Sequence, residues 1–98
     1  MFLKIHRAYR NVVALCDKNL LNQTFKEKNM KIHVNERFFK GQEVNEEEAL
    51  RILKIENNKD ATFNIVGEKS VKAAIKAGII AKNSIIKIQK VPIALVLL

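Results

Sequence analysis

The side chains able to do covalent or metal chemistry are sparse in this sequence. His6, His33 and Cys16 are its only histidines and its only cysteine. A structural zinc site needs a full set of such ligands in close pairs, so no metal site and no cofactor are expected. Cys16 ends the apolar run Val12-Val13-Ala14-Leu15-Cys16 and has no second cysteine to bond with. It reads as a small packed hydrophobe in a reducing compartment. Asp17, Glu36, Glu43 and the Glu46 to Glu48 triplet are the candidate acids and bases, but nothing in their spacing sets a pair across a pocket. No catalytic residue is assigned, and a protein that is not an enzyme is expected.

Val66-Gly67-Glu68-Lys69-Ser70 approaches the end of a phosphate-binding loop. Such a loop needs an earlier glycine, five positions before the second, so that successive backbone amides can wrap the phosphates. Thr62 stands there instead, and Glu68 separates Gly67 from Lys69. The segment reads as the start of a helix, where one glycine and one lysine could attract a single phosphate at most.

Binding chemistry is better represented. Eighteen Lys and Arg against ten Asp and Glu give a formal net charge of +8, and the sequence pI is near 9.8. Such a balance bears on partners rather than fold and points to something acidic. It is uneven: +3 over residues 1–21, +3 over 22–41, −3 over 42–60 and +5 over 61–98. His6-Arg7-Ala8-Tyr9-Arg10 gathers two guanidinium groups and a phenol ring in one turn, and planar groups of this kind pair with phosphate and stack on unpaired bases. Thr24 to His33, with Arg37-Phe38-Phe39-Lys40 beyond, interleaves bases with rings as single-stranded RNA sites do, although Phe25, Phe38 and Phe39 suit a core equally well. Lys69, Lys72 and Lys76 recur at helical spacing. RNA or a ribonucleoprotein is therefore the expected partner, and Lys4, His6, Arg7, Tyr9, Arg10, Lys31, His33, Lys69, Lys72 and Lys76 are the candidate contacts. The alternative is a protein partner docked on an open sheet face or an edge strand.

The elements that must position these residues can be read from periodicity. With 98 residues, 48% of them hydrophobic and 29% charged, the chain suits a single α+β domain over 1–98, and no linker or internal repeat divides it. Residues 2–7 and 11–16 read as a hairpin, and 30–34 as a third strand that alternates Ile32 and Val34 with Lys31 and His33. Asn45 followed by three glutamates, with Glu48 placed to close a capping box, announces a helix that ends near Asn57-Asn58. Ala61, Phe63 and Ile65 alternate with Thr62 and Asn64 in a fourth strand. Gly67 then opens a second helix, which stops at Gly78 with Ile79 as its apolar cap contact. Two strands, Ile85 to Gln89 and Ile93 to Leu98, meet at a break over Lys90-Val91-Pro92, and the apolar run of the last suggests cover on both sides.

The order β-β-β-α-β-α-β-β implies a two-layer sandwich: a mostly antiparallel sheet of about six strands with two helices on one face. The other face should be partly open. If the outward sets Lys4 and His6, Lys31 and His33, and Lys87 and Gln89 share it, that face is basic and polar. The longest apolar run, Val91 to Leu98, is far shorter than a membrane helix, and the N-terminus has no signal-peptide core, so the expected protein is neither exported nor embedded.

The strings MFLKIHR, NVVALCDKNLL, ERFFKGQEVNEEEAL and NIVGEKSVKAAIKAGII resemble those of small archaeal proteins of domain-of-unknown-function family 424. The resemblance runs over nearly the whole chain. It implies an archaeal cytoplasmic protein with a loose tie to the translation apparatus, and it assigns no catalytic residue. One departure is local: the resemblance leads to a polar residue, often histidine, after Val-Pro, and this chain has Val91-Pro92-Ile93-Ala94.

Overall fold

Residues 1–97 are described by a computed structural model. The chain forms β1 (Phe2–His6), β2 (Val12–Cys16), β3 (Thr24–Glu27), β4 (Met30–His33), the one-turn helix α1 (Glu36–Phe39), the two-residue β5 (Gln42–Glu43), α2 (Glu46–Asn58), β6 (Thr62–Val66), α3 (Glu68–Lys76), β7 (Ile86–Ile88) and β8 (Val91–Val96). Six of the strands make one mixed sheet in the order β5-β1-β2-β6-β8-β7. Only β2 and β6 run parallel, from Val12 opposite Thr62 to Cys16 opposite Val66; the other four pairings are antiparallel. Among the described residues, no helix is long and apolar enough to cross a membrane.

Alternation along the strands sends two sets of side chains to opposite faces. Leu3, Val13, Leu15, Phe63, Ile65 and Ala94 pack under α2 and α3, against Ala49, Leu53, Val71 and Ala74. This is the helical layer, and its caps follow the sequence. Asn45 Oδ1 accepts from the Glu48 N–H at 2.8 Å while Glu48 Oε1 accepts from the Asn45 N–H at 3.0 Å, which closes the capping box. At the end of α3, the Gly78 N–H donates to Ile75 O and the Ile79 N–H to Ala74 O, with Gly78 at φ +76°. That is the left-handed cap expected of a glycine followed by an apolar residue.

On the second face Phe2, Ala14, Cys16, Val66, Ile88 and Ile93 form a separate core with Val34 and Phe39, and Phe25, Ile32 and Phe38 pack against it. The residues from 22 to 40 therefore cover part of the face that the sequence leaves open. The third expected strand, 30–34, is β4, and it pairs with β3 in its own two-stranded sheet instead of joining the main one; the two-residue β5 takes the sixth place. The chain also makes a third, one-turn helix, α1, capped by Asn35 Oδ1, which accepts from the Arg37 and Phe38 N–H groups.

The expected common basic face does not form. Lys4 and His6 point to the second face, but Lys31 and His33 lie exposed on the far side of the hairpin from Ile32, and Lys87 opposes Pro92 on the other parity from buried Ile88. The last hairpin also turns earlier than expected. Gln89 and Lys90, both at positive φ, make a two-residue loop between paired Ile88 and Val91. Val91 and Pro92 belong to β8, where the Pro92 carbonyl accepts from the Gly67 N–H at 2.9 Å. Nor is β8 covered on both sides throughout: Leu95 is 54% exposed. Leu97 lies beyond the strand, and Leu98, the end of the expected strand, lies outside the described residues.

Candidate nucleic-acid interface

The β1–β2 turn stands at the end of the sheet marked by the row His6, Val12 and Thr62. It is tied down from both sides. Asn11 Oδ1 accepts from the Ala8 N–H, and Asn11 Nδ2 donates at 3.0 Å to Oε1 of Glu56, a buried carboxylate that also faces Lys59 at 3.6 Å. The Asn11 carbonyl accepts from the Thr62 N–H, and Arg10 Nη1 donates to the Asp60 carbonyl at 2.9 Å. Burying the Glu56 charge would be costly without these partners, so the junction of α2 and β6 holds the turn as a unit. Tyr9 projects from it completely, at 105% of full exposure, between the exposed Arg7 and Arg10. Asn11 and Glu56 escaped the sequence reading because neither carries a local signal; only the fold brings them together.

Beside the turn lies the part of the second face that is only partly covered. Its first row is His6, Val12 and Thr62, and the next is Lys4, Ala14, Asn64 and Leu95. One row further on, Val66 and Ile93 are buried. Ala14 is already fully buried in the second core, so the floor is a narrow shelf that opens at the half-exposed Leu95 on β8. On its β1 side, Lys4 Nζ donates to the Arg37 carbonyl at 2.7 Å, and His6 Nε2 donates to the Phe38 carbonyl at 2.9 Å. The imidazole also stacks on the Phe38 ring, with centroids 4.6 Å apart and planes at 15°. Phe38 meets Phe39 edge to face, so the rings of α1 pack inward and against one another.

The remaining sequence candidates fall elsewhere. Lys31 and His33 are on the outer face of the β3–β4 hairpin, where His33 Nδ1 is hydrogen-bonded to Thr24 Oγ1. Lys69, Lys72 and Lys76 line α3 in the helical layer, and Lys76 pairs with Glu46 at 2.7 Å. Hydrogen bonding from Lys76 holds the Glu46 carboxyl below its ordinary value. The structure thus brings Arg7, Tyr9 and Arg10 together, sets Lys4 and His6 at the edge of the shelf, and leaves Lys31, His33 and the α3 lysines apart from them.

The opposite end of the sheet holds an open cleft of about 740 Å³, lined by Asp17, Lys18, Leu20, Lys69, Lys90 and Pro92 among others. Asp17 dominates it. One carboxylate oxygen accepts from the Ser70 N–H and Oγ–H, both at 2.8 Å, and the other accepts from the Lys69 N–H at 3.1 Å. The start of α3, the segment closest to a phosphate loop in sequence, already has its anion. That internal carboxylate satisfies the amides a phosphate would use. The neighbouring Cys16 is fully buried, and its thiol is pushed up to about 11, first by burial and then by the Asp17 charge. It stays protonated and unreactive at neutral pH. No group of three potential metal ligands forms among the described residues.

Comparison with known proteins places this architecture. The sequence pattern of the family described as protein of unknown function (DUF424) matches residues 6–98. The chain belongs to that family. A solved structure described as an uncharacterized conserved protein from the archaeon Methanopyrus kandleri superposes with a TM-score of 0.85 at 25% identity, over 96% of this chain and 87% of that one. No curated protein matches the chain.

Proposed function

We propose that this protein of the DUF424 family is a non-catalytic, cytoplasmic, translation-associated protein that binds single-stranded RNA at the end of the sheet carrying the β1–β2 turn. One observation carries the reading: a tyrosine ring fully in solvent, flanked by two arginines, on a turn fastened to the body by a buried carboxylate. An exposed ring gains nothing from folding, whereas a ring carried on a turn tied to the body stands where a base can stack on it. The guanidinium groups beside it suit phosphates and base faces alike, and the net charge of +8 draws a polyanion from a distance.

Arg7→Lys and Arg10→Lys keep the charge and remove the planar fork, so both should weaken binding to single-stranded RNA clearly. Tyr9→Ala should cost on the order of 1–3 kcal/mol. Duplex RNA, whose bases are already stacked, should bind more weakly and respond little to Tyr9→Ala. Fluorescence anisotropy across a salt series measures all of these, and log K should fall linearly with log salt. Unchanged binding of both forms by all three variants would return the turn to an ordinary loop. A protein partner is the second reading, favoured by the exposed Ile86 and Leu95 on the same face. Its binding would be nearly indifferent to salt.

A further inference from the structure

We propose that the cleft beyond the carboxyl ends of β2 and β6 binds a nucleotide through its phosphate monoester, held by Lys69 and Lys90. The site lies at the opposite end of the sheet from the β1–β2 turn, and the inference does not rest on the reading given for that turn.

The topology makes the cleft. β2 and β6 are the one parallel pair of the sheet, and both end at it: Asp17 follows Cys16, and Glu68 and Lys69 follow Val66. The chain leaving β2 turns to the second face, where Leu20, Leu21 and Phe25 pack on the second core. The chain leaving β6 enters α3 on the helical face. Two parallel neighbours whose connections part to opposite faces leave a crevice between them, and open sheets of this kind bind ligands there. At about 740 Å³ the cleft has room for a small organic molecule and far more than a bare ion would fill.

Its lining sets the ligand class. Leu20, Val91 and Pro92 supply an apolar wall for a flat body, and Lys18, Lys69 and Lys90 bring ammonium groups from three separate segments. Lys18 already pairs with Glu43 at 3.1 Å. Lys69 and Lys90 form no ion pair among the described residues. Both carboxylates of the cleft are accounted for. Asp17 is spent on the Lys69 and Ser70 groups at the start of α3, so a phosphate here is met by side chains rather than by those amides. Glu68 is exposed, and water screens its charge. An ammonium group binds phosphate as a point charge, whereas a carboxylate ligand is better matched by the fork of an arginine, which the cleft lacks.

Lys90 is the residue that the fold does not explain. It has φ +69° in a two-residue turn, a conformation that favours glycine or asparagine. Its neighbour Gln89, at φ +50°, has a structural use, because its amide oxygen accepts from the Lys26 N–H at 3.2 Å. The Lys90 ammonium makes no hydrogen bond among the described residues. Strain of this kind is kept where a side chain serves a site, and the site at hand is the cleft that Lys90 lines.

The test follows the backbone amide NMR signals of Asn19, Lys69 and Val91 as adenosine monophosphate, adenosine or inorganic phosphate is added. The monophosphate should shift all three signals and bind about tenfold more tightly than either part alone. Lys69→Gln and Lys90→Gln should each weaken it by about tenfold, the loss expected for one charge-assisted contact. Lys72→Gln, further along α3 and outside the cleft, should leave it unchanged. Lys90→Asn suits the left-handed turn better, so it should melt above wild type and yet bind as weakly as Lys90→Gln. A short RNA with a terminal monophosphate then identifies the source: tighter binding than the free nucleotide at these three amides assigns the cleft to an RNA end, and weaker binding assigns it to a free nucleotide. The proposal is overturned if millimolar monophosphate moves none of the three signals, if Lys72→Gln weakens binding as much as Lys69→Gln does, or if Lys90→Asn keeps wild-type affinity. Tyr9→Ala should leave all of these shifts as they are, so failure of the RNA reading at the turn is seen separately.

Discussion

Gly67 and Asp17 show how one residue constrains another across the sheet. Gly67 has φ +112°, and a Cβ there would overlap the Asp17 carboxyl group. Gly78 also has positive φ, +76°, but a Cβ there meets nothing within 4 Å. Gly78→Ala should therefore cost only the strain of a left-handed residue, about 1 kcal/mol. Gly67→Ala adds a clash to that strain and displaces the cap of α3, for a loss of about 3 kcal/mol or more. Urea unfolding of the two variants checks the difference; equal losses would mean that the carboxylate moves aside freely. The glycines were legible as a helix start and a helix stop. Asp17 was not, because the amides it caps belong to Lys69 and Ser70, and no local pattern announces a partner that distant.

Elements with their own punctuation could be read, and those that depend on docking could not. The capping box of α2, the alternation of β6 and the glycine cap of α3 are local, and each appears where the residues put it. Asn45→Ala removes the acceptor for the Glu48 N–H and should lower stability by about 1 kcal/mol in a thermal melt. A wild-type melting curve would mean that the box adds nothing to the tertiary packing of Ala49 and Leu53. By contrast, β3 offers Phe25 as its only apolar side chain, α1 is a single turn and β5 has two residues. Such pieces have no stability of their own; β3 and α1 exist because Phe2, Cys16 and Val66 give them an apolar surface to cover, and β5 because it pairs with the edge of β1. The last turn was misplaced for a related reason. Gln89 and Lys90 adopt positive φ without glycine or asparagine to signal it, while Pro92, the obvious breaker, sits inside β8. Glu27 Oε1 accepts from the Gln89 N–H and Gln89 Oε1 accepts from the Lys26 N–H, so β3 braces that turn.

For the whole molecule, the order of the elements pointed to the α+β class, a sheet of about six strands and a helical face, and it left open how much of the second face is covered. The cover is built from residues 22–40, whose alternation is weak, so its extent depends on contacts rather than on pattern. The single parallel pairing has a kinetic meaning. β1 and β2 join through a short turn, as do β7 and β8, and such hairpins zip in microseconds. The seam between β2 and β6 closes only after residues 17–61 have been looped back, and chain entropy opposes that step. The seam should therefore be the event that limits the rate of folding. Ile65→Val, at its buried centre, should slow refolding in stopped-flow mixing, whereas Val34→Ala, in the cover laid over the finished sheet, should mainly hasten unfolding. The reverse pattern would make the cover part of the nucleus. With the seam as the barrier, a nascent chain that has emerged only as far as α2 holds β2 with one edge bare, and it stays vulnerable to mispairing until β6 arrives.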